Sequence, residues 1–321
     1  MESVNEKALK LVQKMMENQE ELNVKVHEGA GGSTIVDAGV KVKGGCSAGL
    51  IVTEICMGGL GKASLTYKTF GKLAFPAILV ETDHPAVATL GAQYAGWRIK
   101  VKDYFAMGSG PARALSLKPK EIYERIGYRD EGAKHAVIVL ESDKLPSDEA
   151  LRYIADQCGV ELRNLYAIVT PTSSVSGSVQ ISGRIVETGV HKLNELGFDP
   201  KRILYGVGYA PLPPIHPDSM KAMGRTNDAL YYGGVTYYSV DFDDDEELKR
   251  IVERSPSSTA KDYGKPFYNI LKEAKFDFYQ IDPNLFAPAV VMVSNVKTGV
   301  TYAAGEINEK VLAETMGLAK V

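Results

Sequence analysis

Cysteine, histidine and tryptophan are scarce in this chain, and each shortage closes off a class of chemistry. Its 321 residues include 3 cysteines, 5 histidines and 1 tryptophan. Cys46, Cys56 and Cys158 are odd in number, widely spaced and without nearby histidine. Neither a disulfide framework nor a zinc site is expected, and all three read as packing residues. His27, His84, His135, His191 and His216 lack metal-ligand spacing, and no G-x-S-x-G elbow is present, which argues against metal-dependent and serine hydrolases. His84, between Asp83 and Pro85, reads as a helix-entry residue. A strong net charge is also missing. With a formal net charge of −3 and no basic stripe interleaved with aromatics, no nucleic-acid partner is expected. No apolar run approaches the roughly 20 residues that span a bilayer, and Met1-Glu-Ser-Val-Asn-Glu-Lys7 has no apolar signal core. The expectation is a cytoplasmic protein with no membrane partner.

What is present is enough apolar material, 45% of the chain together with 31 glycines, to bury a sizeable core in two domains. Ser3 to Leu22 has helical apolar spacing that Ser3 can cap. Five β-rich pieces follow, at 24–27, 34–37, 50–56, 63–67 and 77–82, and then a helix over 85–95 opened by Pro85. Strand and helix signals alternate through 136–140, 149–158, 165–169, 173–196 and 203–207, the pattern of β/α layering. Helices are expected at 219–231, 246–254, 266–274 and 308–316, with a strand at 235–240 and a hairpin from 290–294 to 301–303. Asp241 to Glu247 reads as a solvated helix start. The charged stretch Arg129 to Lys134 is the boundary candidate, giving domains 1–130 and 131–321, with the C-terminal hairpin a candidate to return to the first.

Charge is absent where it matters most. Between Arg163 and Lys192 only Arg184 and Glu187 are charged, where the overall frequency of 24% would place about seven such residues. In a helix, residues at this spacing point into the same space, so guanidinium and carboxylate can act as one unit. Two readings stand side by side: a buried structural ion pair, which contributes little net stability, or an acid–base pair held for chemistry. Ser173, Ser174, Ser176, Gly177, Ser178, Ser182 and Gly183 are small, which admits either a flat ligand or a closely packed neighbour.

A second stretch, Tyr104-Phe-Ala-Met-Gly108-Ser109-Gly110-Pro111-Ala-Arg113-Ala-Leu115, joins turn-forming glycines to a guanidinium. It reads as an anion cradle or as a tight turn before a helix. It has neither the Lys-Ser/Thr ending of a nucleotide P-loop nor a GxGxxG fingerprint.

These motifs, with Pro171 to Glu187, Asp262-Tyr-Gly-Lys-Pro-Phe267, Asp277-Phe-Tyr-Gln-Ile-Asp-Pro-Asn-Leu-Phe-Ala-Pro288, Cys56-Met-Gly-Gly-Leu60, Thr82-Asp-His-Pro-Ala86 and Thr226-Asn-Asp228, resemble methenyltetrahydromethanopterin cyclohydrolase over essentially the whole chain. Two departures are Ala38 and Tyr94, at positions where the family often carries Cys and Lys. Ala38 speaks for an inert thiol there, and Tyr94 removes a charge contact to an acidic cofactor tail.

The resemblance implies a mixed α/β fold of two layered sheet-and-helix domains with a pocket between them, assembled as a homotrimer in the cytoplasm. It implies reversible hydrolysis of the methenyl bridge of tetrahydromethanopterin, in one-carbon metabolism and methanogenesis, with no metal and no prosthetic cofactor. The catalytic pair of the family falls on Arg184 and Glu187. A carboxylate suits the amino-pyrimidine edge of the pterin, and Asp83 and Asp228 are candidates for it; Tyr104, Gly108, Ser109, Gly110, Arg113 and Gln180 complete the expected substrate-binding set.

Overall fold

A computed structural model describes residues 2–277 and 280–317. In chain order its first elements are α1 (Val4–Glu17), α2 (Gln19–Leu22), β1 (Lys25–Glu28), β2 (Thr34–Asp37), α3 (Cys46–Cys56), β3 (Gly61–Phe70) and β4 (Leu73–Thr82). Next come β5 (Trp97–Val101), β6 (Tyr104–Ser109), α4 (Arg113–Ser116), α5 (Lys120–Ile126), β7 (Ala136–Glu141), α6 (Asp148–Cys158), β8 (Leu165–Val169), α7 (Val175–Ser182) and α8 (Ile185–Glu195). The chain continues through β9 (Ile203–Pro211), α9 (Ser219–Gly233), β10 (Val235–Val240), α10 (Asp245–Glu253), α11 (Phe267–Glu273), β11 (Val290–Asn295), β12 (Thr301–Gly305) and α12 (Glu309–Thr315). No helix among the described residues is long and apolar enough to cross a membrane.

Two compact units result. The first takes in the chain up to Lys62 and Ala86–Gln180; the second takes in Ala63–Pro85 and the chain from Ile181 onward. The contacts therefore do not divide at 130/131, because β6 and β7, on either side of that point, are hydrogen-bonded neighbours. The C-terminal hairpin belongs to the second unit, where β11 pairs with β10.

The first unit is built on a six-stranded sheet ordered β1-β2-β8-β7-β6-β5. Strands β2, β8 and β7 run parallel at its centre. Ala136 to Leu140 is buried on both faces, as a strand covered by helices on each side must be. One face packs Val137, Val139 and Ile168 against α1 and α3, and the other packs Ile138, Leu140 and Val169 with α6. Ser3 caps α1 by accepting from the Glu6 N–H, which leaves Val4, Ala8, Val12 and Met15 on the buried stripe.

The second unit holds the sheet β12-β11-β10-β9-β4-β3, in which β10 and β11 are parallel and β9 runs antiparallel to both β10 and β4. Asp244 caps α10 by accepting from the Glu247 N–H, with Asp245, Glu246 and Glu247 in the first turn, so the acidic run is the helix start the sequence indicates.

Three local expectations change. Leu50 to Cys56 is helical: its β-branched residues favour a strand, yet Ala48, Val52, Ile55 and Cys56 recur at helical spacing and packing decides. The helix after Pro85, Ala86–Gln93, is wound more widely than an α-helix, and the Tyr94 N–H reaches back to the Thr89 carbonyl at 2.8 Å. Finally, the helix expected over 173–196 is two helices. Gly183 and Arg184 interrupt it, and α8 starts afresh with Arg184 at its N-cap.

Candidate active site

The break between α7 and α8 places the catalytic candidates. Because Arg184 is the N-cap, Glu187 falls in the first turn of α8, where the unpaired amide ends of a helix favour a carboxylate. Nη1 of Arg184 lies 3.6 Å from Oε2 of Glu187, and their side chains are 9% and 8% exposed. The turn that holds them is fixed by its own backbone. The Arg184 N–H donates to the Ile181 carbonyl, and the Arg184 carbonyl accepts from both the N–H and the hydroxyl of Thr188.

Around this pair in the second unit are groups the sequence reading missed. The Tyr231 hydroxyl donates to Asn227 Oδ1 at 2.7 Å, and its pKa is pushed well above the ordinary range by burial, then by the Asp228 and Glu187 carboxylates. Tyr238 is fully buried and likewise held neutral, chiefly by burial, with Glu187 acting in the same direction. Glu187 and Asp228 thus both bear on Tyr231, though the chain separates them widely. No local signal marks them, because α9 and β10 both mix polar with apolar residues and the burial of the two rings is set by packing.

Asp228 is 1% exposed and accepts from the Phe267 N–H at 2.8 Å, satisfying an amide donor of the first turn of α11. Burial drives its carboxyl pKa well up, against that hydrogen bond. Asp83 is exposed just beyond the end of β4. Of the motif Asp277 to Pro288, Phe278 and Tyr279 lie outside the described residues.

In the first unit, the segment Tyr104 to Leu115 is not an open loop. Tyr104, Gly108 and Ser109 belong to β6, where Gly108 and Ser109 pair with Leu140 and Val139 of β7. Gly110, at φ +93°, makes the turn out of the strand, and its N–H donates to the Ala92 carbonyl. The Ala112 and Arg113 N–H groups donate to the Val137 and Gly110 carbonyls. Arg113 is fully buried: Nε donates to the Lys118 carbonyl at 2.7 Å, and Nη1 to the Leu90 and Ala92 carbonyls at 3.1 and 3.2 Å. The rings of Tyr94 and Tyr123 lie 5.2 and 5.6 Å from its guanidinium carbon. These contacts fit the tight turn before a helix, since the Gly110, Ala112 and Arg113 amides and Nε and Nη1 of the guanidinium hold backbone carbonyls. Burial pushes the Tyr104 hydroxyl pKa up to about 12. Gln180 differs. It is 1% exposed, and among the described residues neither Nε2 nor Oε1 meets a hydrogen-bond partner. Buried amides in this condition are uncommon, and each open group costs about 1–3 kcal/mol.

Among the described residues no group of three or more His, Cys, Asp or Glu side chains is placed to hold a metal ion. Fold and site define a mixed α/β protein with a buried guanidinium–carboxylate pair. Residues 3–316 match the family described as Cyclohydrolase (MCH). The methenyltetrahydromethanopterin cyclohydrolase of Methanococcoides burtonii is 49% identical over 321 residues, covering 100% of both chains. That of Methanothermobacter thermautotrophicus is 47% identical, covering 99% of this chain and 100% of its own. That of Methanocella arvoryzae is 50% identical, with 100% of both covered. The chain belongs to the methenyltetrahydromethanopterin cyclohydrolase family and is a hydrolase.

Proposed function

We propose that this chain hydrolyses methenyl-tetrahydromethanopterin to the formyl form, reversibly, with Glu187 as the general base and Arg184 as its partner. The observation that carries the reading is the buried pair itself, at 3.6 Å in the first turn of α8, in a chain matched to its family over residues 3–316. A buried ion pair adds little stability, so chemistry is the better account of its presence.

The methenyl carbon bridges two ring nitrogens that share a positive charge. A carboxylate beside it stabilises the bound cation and can take one proton from an attacking water as the carbon–oxygen bond forms. In the resulting adduct one carbon–nitrogen bond breaks. The leaving nitrogen takes back the proton from Glu187, the adduct hydroxyl loses its proton to solvent as the carbonyl forms, and the formyl group stays on the other nitrogen. Overall one cation and one water become a neutral formyl compound and a proton. Arg184 keeps the carboxylate ionised and aimed, and can donate to the developing oxygen. Gln180 is assigned to substrate contact on the strength of its open amide. Asp83 stays a proposed contact to the pterin amino-pyrimidine edge.

The test is spectrophotometric. The methenyl absorbance should decay on addition of the protein, at the same rate with a chelator and without nucleotide. An absorbance that shifts on binding but never decays would mark a pterin carrier, and a requirement for magnesium and nucleotide would mark a phosphoryl-transfer enzyme.

A further inference from the structure

We propose that Tyr238 is a positioning residue for Glu187, acting through the backbone of α8; the proposal rests on the assignment of Glu187 as the base. Tyr238 stands on β10 with its ring and hydroxyl fully buried. The hydroxyl donates to the Val186 carbonyl at 2.8 Å. That carbonyl is one end of the peptide joining Val186 to Glu187, so the phenol grips the backbone directly at the base. In a regular helix the same carbonyl serves the N–H four residues on, which belongs to Val190. Tyr238 therefore holds the carbonyl end of that rung of α8.

The surrounding sequence makes room for this grip. A Cβ added at Gly189 would stand 2.0 Å from the Tyr238 oxygen, and one at Gly206 would stand 3.2 Å from its ring and 3.0 Å from Val186. Filling space does not require the hydroxyl, since phenylalanine offers the same ring. A buried hydroxyl is tolerated when it is bonded, and here its bond falls on the rung beside Glu187. The consequence is mechanical. Side-chain bonds into a helix ladder set its local curvature, so this one fixes how far the first turn of α8 can slide or rotate, and with it the reach of the Glu187 carboxylate. Misplacement of a reacting group by about 1 Å costs up to roughly 100-fold in rate.

The experiment is steady-state hydrolysis of methenyl-tetrahydromethanopterin by Tyr238→Phe, with Tyr232→Phe and Glu187→Gln alongside and thermal unfolding of each. Tyr232 is a matched control: it is fully buried and its hydroxyl donates to the Lys265 carbonyl at 2.6 Å, away from α8. Tyr238→Phe should fold, lose roughly 10-fold in kcat and keep its KM within about twofold, as expected when geometry at the reacting atom is disturbed and binding is not. Tyr232→Phe should show a comparable loss of thermal stability and a wild-type kcat. An unchanged kcat in Tyr238→Phe, or equal kcat losses in the two tyrosine variants, overturns the proposal. Wild-type rates in Glu187→Gln overturn the base assignment and this proposal with it, whereas an inactive Glu187→Gln beside an unaffected Tyr238→Phe overturns the Tyr238 role alone.

Discussion

Arg184 and Glu187 meet at 3.6 Å across the first turn of α8, with the arginine at the N-cap and the glutamate inside the helix. The guanidinium and the helix terminus both favour a charged carboxylate there, so each partner is held where its loss strands the other.

Arg184→Gln removes the cation and leaves a buried carboxylate. The variant should lose most of its activity and about 3–5 kcal/mol of stability, the usual cost of breaking a buried pair on one side. Adding Glu187→Gln should return part of that stability, because nothing charged is then stranded. Denaturant unfolding of the two single variants and the double variant checks this. Additive losses would show that the two side chains are not coupled.

Arg113→Ala should act on folding rather than on binding. Its guanidinium serves three backbone carbonyls and lies between two aromatic rings, so its removal leaves buried acceptors open and a cavity beside Tyr94 and Tyr123. The expected result is a loss of about 3 kcal/mol or more, or little soluble protein, with the KM of whatever folds unchanged. A folded variant of wild-type stability whose KM rises only for substrate carrying the phosphate tail would restore the anion-binding role.

How much could be read beforehand divides at this arginine. Local pattern located β2, β8 and β10 to the residue and the acidic start of α10, because strand alternation and helix caps are written in neighbouring residues. The spacing of Arg184 and Glu187 likewise announced their meeting. Partnership across the chain was not legible. Nothing near β3 and β4 says that β4 pairs with β9, and so their assignment to the second unit is lost on a linear reading. The glycines of Tyr104 to Leu115 look like an open cradle because sequence does not show that β7 and Ala92 already take up the amides. Tyr238 escaped notice for the same reason, since its bond to Val186 joins residues far apart in the chain.

Asp228 gives the pH prediction. Burial raises its folded pKa well above the ordinary carboxyl value, so the native state favours its protonated form. The stability it contributes is complete below the unfolded carboxyl range and is lost as pH rises through the folded value. Asparagine cannot ionise, and its Oδ1 can still accept from Phe267. Asp228→Asn should match wild type in acid and exceed it in melting temperature by a margin that grows as pH rises. Its turnover should stay near wild type. A large rise in KM in this variant would instead place Asp228 against the pterin.

The most direct measurement of the central claim is the rate of methenyl absorbance loss by Glu187→Gln, set beside wild type at equal protein concentration and with folding confirmed by thermal unfolding. Glutamine keeps the shape of the side chain while removing both the base and the negative charge beside a cation. The account predicts that hydrolysis slows by roughly 100-fold or more while the protein still binds the substrate. A rate within a few-fold of wild type would contradict it.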